Sequence, residues 1–273
     1  MIPEFKMSIL RKASRGEIIP LLLTMLVVTA LLVRPTLADD AADKARAAEK
    51  AKRAEKAAAA EKEAELNAEA RAATKKAARA ADDKLKWESL FDGKTMGGWK
   101  LTEFGTSADV EIEDGHMLLP LGEGCAGVTW QKEFPKVDYE VRLEAQRVEG
   151  SDFFCGMTFP VGEQPCSLII GGWGGAVVGL SSIDGKDAAR NETTKYMKFK
   201  KGQWYDVKLR VTGEKITAWI DGQQVVDVTH TGHKLTIRPE VELSRPFGIC
   251  SFSTRAALRG IEIRNLEPAP KAD

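Results

Sequence analysis

The chain has 273 residues, with 40 basic and 40 acidic side chains and therefore no formal net charge. Such a balance supplies no long-range field to gather nucleic acid or an anionic membrane surface, so neither is expected as a partner. The length admits one or two domains.

The N-terminal stretch reads as a targeting segment. Lys6, Arg11, Lys12 and Arg15 precede the apolar run IIPLLLTMLVVTALLV at 18–33, and Pro35-Thr36-Leu37-Ala38 follows before Asp39. A basic head, a short apolar run and small residues before a cut after Ala38 describe a secretory signal peptide over 1–38. The run falls short of the roughly 20 residues of a spanning helix, though closely enough that an uncleaved signal anchor is the competing reading. On either reading the rest of the chain is exported, to the periplasm or beyond the cell.

Residues 39–86 contain no Gly or Pro and consist almost entirely of Ala, Lys, Arg and Glu, the strongest helix formers. Asp39, Asp40 and Asp43 are placed to cap a helix and complement its dipole. Glu49 has Lys52 and Arg53 at the i+3 and i+4 positions. A continuous helix here would be about 70 Å long at 1.5 Å per residue. Leu66 and Leu85 are its only large apolar residues. A coiled-coil seam would therefore bury little, and the expected element is a solvated helical arm, available for envelope contact or weak self-association.

From Trp87 the apolar period changes to that of strands. In VDYEVRLEAQ, residues Val137, Tyr139, Val141, Leu143 and Ala145 share one face, and Asp138, Glu140, Arg142, Glu144 and Gln146 the other. This alternation predicts a half-buried antiparallel strand. Tyr205, Val207, Leu209 and Val211 repeat it, as do Ile216, Ala218 and Ile220, with turns at Thr212-Gly213-Glu214 and Asp221-Gly222. Glu113-Asp114-Gly115 makes another turn. FFCGMTFPV, CSLIIGGW and GAVVGLSSI are apolar on both faces, which suits central strands or the floor of a groove. Many short strands with glycine-rich turns and no long helix argue for a single all-β sandwich over 87–273.

An even set of cysteines in an exported chain admits disulfides among Cys125, Cys155, Cys166 and Cys250, or four buried thiols. Cys155 and Cys166 flank FPVGEQP, a strand-loop-strand, and are the first pair to test. No CxxC or Cys/His spacing suggests zinc, and His230 and His233 in THTGH are a weak candidate pair for a metal without a third ligand.

Leu90-Phe91-Asp92-Gly93-Lys94-Thr95 followed by Gly98-Trp99 resembles the opening of the 3-keto-disaccharide hydrolase family. VEIEDGHML, FPKVDYEVRLEAQ, GQWYDV, ITAWIDG and LRGIEIR continue the resemblance to residue 266. It implies a concanavalin/laminin-G-like jelly roll that acts on glycosides carrying a ketone at C3. It also implies a glutamate on a central strand and a histidine on a later one. The corresponding segments here are CSLIIGGW and FGICSFS.

Elimination from a 3-keto glycoside needs a base and a group to hold the enolate. Asp152, beside the central strands, is a candidate base, and its place after Gly150-Ser151 equally suits a turn cap. Glu192 is a second candidate base, and Arg245 a candidate enolate partner or a simple ion pair with Glu240 or Glu242. DGKDAARNETT gathers Asp184, Asp187, Arg190, Asn191 and Glu192 in one loop. Asp184 and Asp187 are candidate ligands for a divalent cation such as Ca²⁺, and Arg190 and Asn191 candidate sugar contacts, against the plainer reading of a solvated polar loop. Trp173 lies between two glycine pairs, a setting that leaves a ring open to stack on a sugar or folds it onto the core. Trp219 is a second candidate platform, or a residue packed on its neighbours.

Overall fold

The computed structural model describes residues 37–105 and 109–267. The apolar run of the predicted signal peptide or anchor lies outside the described residues. Helix α1 (Leu37–Asp82) is 46 residues long. It begins ahead of Asp39 and Asp40, and the side chains of 37–41 are outside the described set. Among the described residues no helix is long and apolar enough to cross a membrane.

The chain divides into two compact units, Met1–Ala59 and Ala60–Asp273. In the first, the described side chains of α1 are exposed, and Arg53 is held 2.7 Å from Glu49 one turn away. The second unit contains the remainder of α1 and all the strands.

In chain order the strands are β1 (Glu88–Ser89), β2 (Trp99–Leu101), β3 (Glu111–Glu113), β4 (His116–Leu119) and β5 (Cys125–Trp130). Next come β6 (Tyr139–Gly150), β7 (Cys155–Val161), β8 (Gln164–Gly172), β9 (Val177–Ser181) and β10 (Lys195–Tyr196). The last are β11 (Trp204–Val211), β12 (Lys215–Ile220), β13 (Gln223–Thr229), β14 (Gly248–Phe252) and β15 (Thr254–Asn265). They form two antiparallel sheets. Sheet I runs β13-β12-β11-β6-β15-β4-β3 with β1 on β15, and sheet II runs β10-β9-β8-β7-β14-β5-β2.

The core lies between the sheets. Tyr139, Val141 and Leu143 of β6 meet Met157, Phe159 and Leu168 from sheet II, all at 0% exposure. Each such side chain contributes about 1.5–3 kcal/mol of transfer free energy. The Tyr139 hydroxyl donates to the Pro160 carbonyl at 2.7 Å, which ties the layers together without leaving a buried donor unpaired. The expected turns are present: Asp221 and Gly222 take φ of 50° and 77°, and Asp114 and Gly115 take 51° and 78°.

Two expectations need correction. First, the opening part of β6, residues 139–143, is buried on both faces, not one. Its outward Glu140 is fully buried between the guanidinium groups of Arg210 and Arg264. Arg142 next to it binds Glu262 and Asp83 and lies 4.5 Å from the Trp87 ring. Charged residues of neighbouring strands neutralise one another there and cover the sheet. Second, the arm is not a solvated spacer throughout. Lys75, Arg79 and Asp82 of α1 are ion-paired to sheet I. The indole N–H of Trp87 donates to the Asp82 carbonyl at 2.8 Å, so the helix stops on the first residue of the strand-forming region.

Cys155 and Cys166, the first pair to test for a disulfide, are not bridged, and the alternative of buried thiols holds for both. In the β7–β8 ladder Cys155 faces Ile170 while Cys166 faces Phe159, so the two thiols stand at opposite ends of the hairpin. Both are buried, and that burial pushes each thiol up to about 12. Cys250 instead lies beside Cys125, to which it is hydrogen-bonded.

Candidate functional site

Alternation along sheet II sends Leu168 and Ile170 of β8 into the core and Ser167 and Ile169 to its outer face. β9 places Leu180 inward and Ser181 outward in the same manner. On β7 one outward residue is Gly156, where a Cβ would lie 2.9 Å from the Phe153 ring; without one, that ring settles onto the sheet. Phe153 stacks on Phe252 of β14 with centroids 5.7 Å apart. The result is a hollow of about 230 Å³ on the outer face of sheet II. Its apolar wall is Phe153, Phe252, Cys125, Ile169 and Val241; its polar atoms come from Ser167, Ser181, Asp152, Arg238 and Glu240. Trp173 stands on the rim.

Trp173 belongs to the β8–β9 hairpin, at φ 50° and 43% exposed, so its ring is not folded into the core. Asp152 fixes this hairpin. One of its carboxylate oxygens accepts the Gly174 N–H at 3.0 Å and the other accepts the Phe153 N–H at 2.8 Å. The turn-capping reading of Asp152 therefore describes its bonding, although the residue also faces the hollow. From beneath, the guanidinium of Arg147 reaches the same hairpin.

A second recess adjoins the first through Arg238 and Glu240, which border both. Asp187 lies there, buried, and accepts from Arg190 at 2.7 Å with Arg238 3.7 Å away. The Arg190 hydrogen bond holds the Asp187 carboxyl below the usual carboxylate range. Arg238 also donates to Glu240 at 2.6 Å, and that bond lowers the Glu240 carboxyl in the same sense. The four charges thus balance: two guanidinium groups face two ionised carboxylates.

The other predicted residues are not drawn into the hollow. Asn191 is a knot within the loop: its amide donates to the carbonyls of Leu180, Lys186 and Asp187, and its oxygen accepts from Thr193. Asp184 is separated from Asp187 and binds His233 at 2.7 Å and the Lys234 N–H at 2.8 Å. Among the described residues no three His, Cys, Asp or Glu side chains converge as an ion site. Glu192 is exposed on the loop. Arg245 follows the 3-10 turn Pro239–Ser244 and pairs with Glu242 at 2.8 Å, away from the hollow. Trp219 lies on sheet I between Lys208 and Arg210, with centroid distances of 4.9 and 5.4 Å, so it shares no surface with Trp173.

Sequence reasoning missed Arg147, Arg238 and Glu240. For Arg147 the signal was present: it continues the register of Tyr139, Val141, Leu143 and Ala145, so a charged side chain occupies a core-facing position. Arg238 and Glu240 are brought to the hollow at the start of the short 3-10 turn Pro239–Ser244, whose course no periodicity gives.

Where the resemblance implies a glutamate and a histidine, β8 and β14 turn Ser167, Ile169 and Phe252 toward the hollow. The floor offers hydroxyl, thiol and apolar surface, and its carboxylates stand at the rim.

The sandwich is similar to several solved structures. The Crh5 transglycosylase in complex with NAG shares 10% identity, covering 68% of this chain and 86% of that one, with a TM-score of 0.50. The carbohydrate binding module CBM66 from Bacillus subtilis shares 12% identity over 62% of this chain and 96% of its own, with a TM-score of 0.43. The potassium-bound carbohydrate recognition domain of Emp46p shares 12% over 67% of this chain and 100% of its own, with a TM-score of 0.45. These likenesses concern the fold. No protein of curated description matches the chain. Residues 86–264 match the 3-keto-alpha-glucoside-1,2-lyase-like domain, and the chain belongs to that family.

Proposed function

We propose that the hollow on sheet II binds a saccharide, with a sugar face stacked on Trp173 and its hydroxyl groups taken by Ser167, Ser181, Arg238 and Glu240. The observation that carries this reading is the Trp173 ring, held half-open on the rim of a hollow that combines apolar walls with a few fixed polar groups. That combination suits sugars, which offer an apolar C–H face and a polar edge. Family membership supports the same ligand class. The proposal includes a concanavalin/laminin-G-like jelly roll and export of the chain, divided into a leader over 1–38, an arm over 39–86 and a domain over 87–273. The exposed part of the arm is left for envelope contact or self-association.

Binding without turnover is favoured, because Asp152 spends both carboxylate oxygens on backbone N–H groups and the strand floor has no base. Family membership favours a second reading, cleavage of 3-keto glycosides. There the C3 ketone acidifies the C2 proton, a base removes it, and the C1 substituent leaves. Glu240, which borders the hollow and pairs with Arg238 at 2.6 Å, is the rim carboxylate placed for that step.

Two measurements on the purified protein decide between them. Calorimetric titration with trehalose, maltotriose, cellotriose and chitotriose is expected to give binding to at least one, weakened about tenfold or more in Trp173→Ala, equivalent to about 1.4 kcal/mol. Incubation with a 3-keto disaccharide, with and without EDTA, is expected to release no product. Product release abolished by Glu240→Gln would establish the second reading, and its loss in EDTA would reveal a divalent cation.

A further inference from the structure

We propose that Arg147 is a positioning residue that clamps the Trp173 hairpin from beneath and keeps the ring open to its ligand; this rests on the saccharide reading above. Arg147 is 5% exposed and points from β6 into the layer between the sheets. A single guanidinium nitrogen, Nη2, donates to three backbone carbonyls: Asp152 at 3.0 Å, Gly171 at 3.1 Å and Gly175 at 3.1 Å. Two of those carbonyls flank Trp173 on either side of the hairpin tip. The third belongs to the residue whose carboxylate takes the Gly174 N–H from above. The tip is therefore gripped from two directions, by cation and by anion.

The glycines on either side of Trp173 fit this grip. A Cβ on Gly171 would lie 2.5 Å from Nη2, and one on Gly175 would lie 3.4 Å from both terminal nitrogens. Their φ values, 79° and 106°, are in the region that favours glycine, and Trp173 itself stands at 50° without that freedom. A bulky residue holds such a conformation only where its surroundings impose it.

The arrangement is costly in isolation. A buried cation needs compensation, yet among the described residues no carboxylate hydrogen-bonds to Arg147 and its Nε has no partner. The faces of Phe154 and Phe199, 5.1 and 6.0 Å away, supply part of it. A leucine or methionine would fill the same space at less cost. What those residues lack is a donor that can reach all three carbonyls, as Nη2 does. The clamp thus explains why this register position of β6 carries a charge.

The test compares Arg147→Met, Arg147→Lys, Trp173→Ala and the double variant Arg147→Met/Trp173→Ala, all in the full chain. The indole N–H resonance of Trp173, assigned by its loss in Trp173→Ala, is expected to shift and broaden in Arg147→Met without ligand. Arg147→Lys, which keeps the charge but ends one bond short of the Nη2 position, is expected to do the same and guards against failure of the methionine variant to fold. The tightest binder among trehalose, maltotriose, cellotriose and chitotriose is expected to bind about tenfold more weakly to Arg147→Met, and the double variant to lose no more than Trp173→Ala alone. A purely structural role would instead give additive losses. An unmoved indole resonance in both Arg147 variants overturns the clamp. A moved resonance with unchanged binding in Trp173→Ala overturns the saccharide reading on which the clamp's purpose rests.

Discussion

The Lys75 ammonium, on α1, stands 3.3 Å from an Asp221 carboxylate oxygen in the turn between β12 and β13. Asp206 and Glu144 face the same ammonium at 3.6 and 3.9 Å, and the Trp204 carbonyl accepts from it at 3.2 Å. One helical cation thus serves three carboxylates that would otherwise repel one another. Burial pushes the Asp206 carboxyl up, and Lys75 acts against that rise. Replacing Lys75 by methionine is expected to cost about 1–2 kcal/mol in urea denaturation, the scale for a partly exposed charged hydrogen-bond donor. It should also accelerate amide exchange in the last turns of α1. An unchanged midpoint would mean that the contact contributes nothing.

Gly222, beside Asp221, lies close against the helix. A Cβ there would lie 3.0 Å from the Ala78 Cβ and 3.1 Å from the Thr74 methyl, and φ is 77°. Gly222→Val is expected to strain the turn by about 1–2 kcal/mol and to push the helix away. Proteolysis between 60 and 82 should then quicken. Equal cleavage rates in the two proteins would contradict this account of the contact.

Glu140 bridges Arg210 and Arg264 at 0% exposure. Glu140→Gln keeps the shape, removes the charge, and leaves two guanidinium groups without their anion. The expected loss is about 3 kcal/mol, near that for breaking a buried pair from one side. Chemical denaturation should show the midpoint falling with its slope unchanged.

His233 and Asp184 set a pH window. The Asp184 hydrogen bond raises His233, and the His233 hydrogen bond lowers Asp184. The imidazolium form of the contact is complete below the ordinary imidazole range and disappears as pH rises through the raised value. Its carboxylate half is complete above the ordinary carboxylate range and disappears as pH falls through the lowered one. Titration of the His233 ring by NMR is expected to give a value above 6.5, returning toward it in Asp184→Asn. A titration that the substitution leaves unmoved would show that the contact has no part in it.

The sandwich was legible because strand alternation is a local signal. Tyr139, Val141, Leu143 and Ala145 had to share a face whatever they packed against. The fate of Glu140 and Arg142, on the opposite face, was not legible, since it depends on Arg264 from the far end of the chain and on Asp83 beyond the helix. The helix itself could be read from composition, while its attachment to sheet I could not, because Lys75 looks like any other lysine until Asp206 and Asp221 meet it. In the candidate site, Trp173 stood out by its flanking glycines. Arg238 and Glu240 reach the hollow at the start of a six-residue 3-10 turn, too short for any residue period to mark. Asp184 and Asp187 read as neighbours in the sequence and turn to different partners, His233 and Arg190.

The two inner thiols give the molecule a memory of its own unfolding. Cys155 and Cys166 have no exposed surface, so an alkylating reagent meets them only in chains whose layers have parted. A modification at those positions would record, as added mass, that the layers of that chain had once parted.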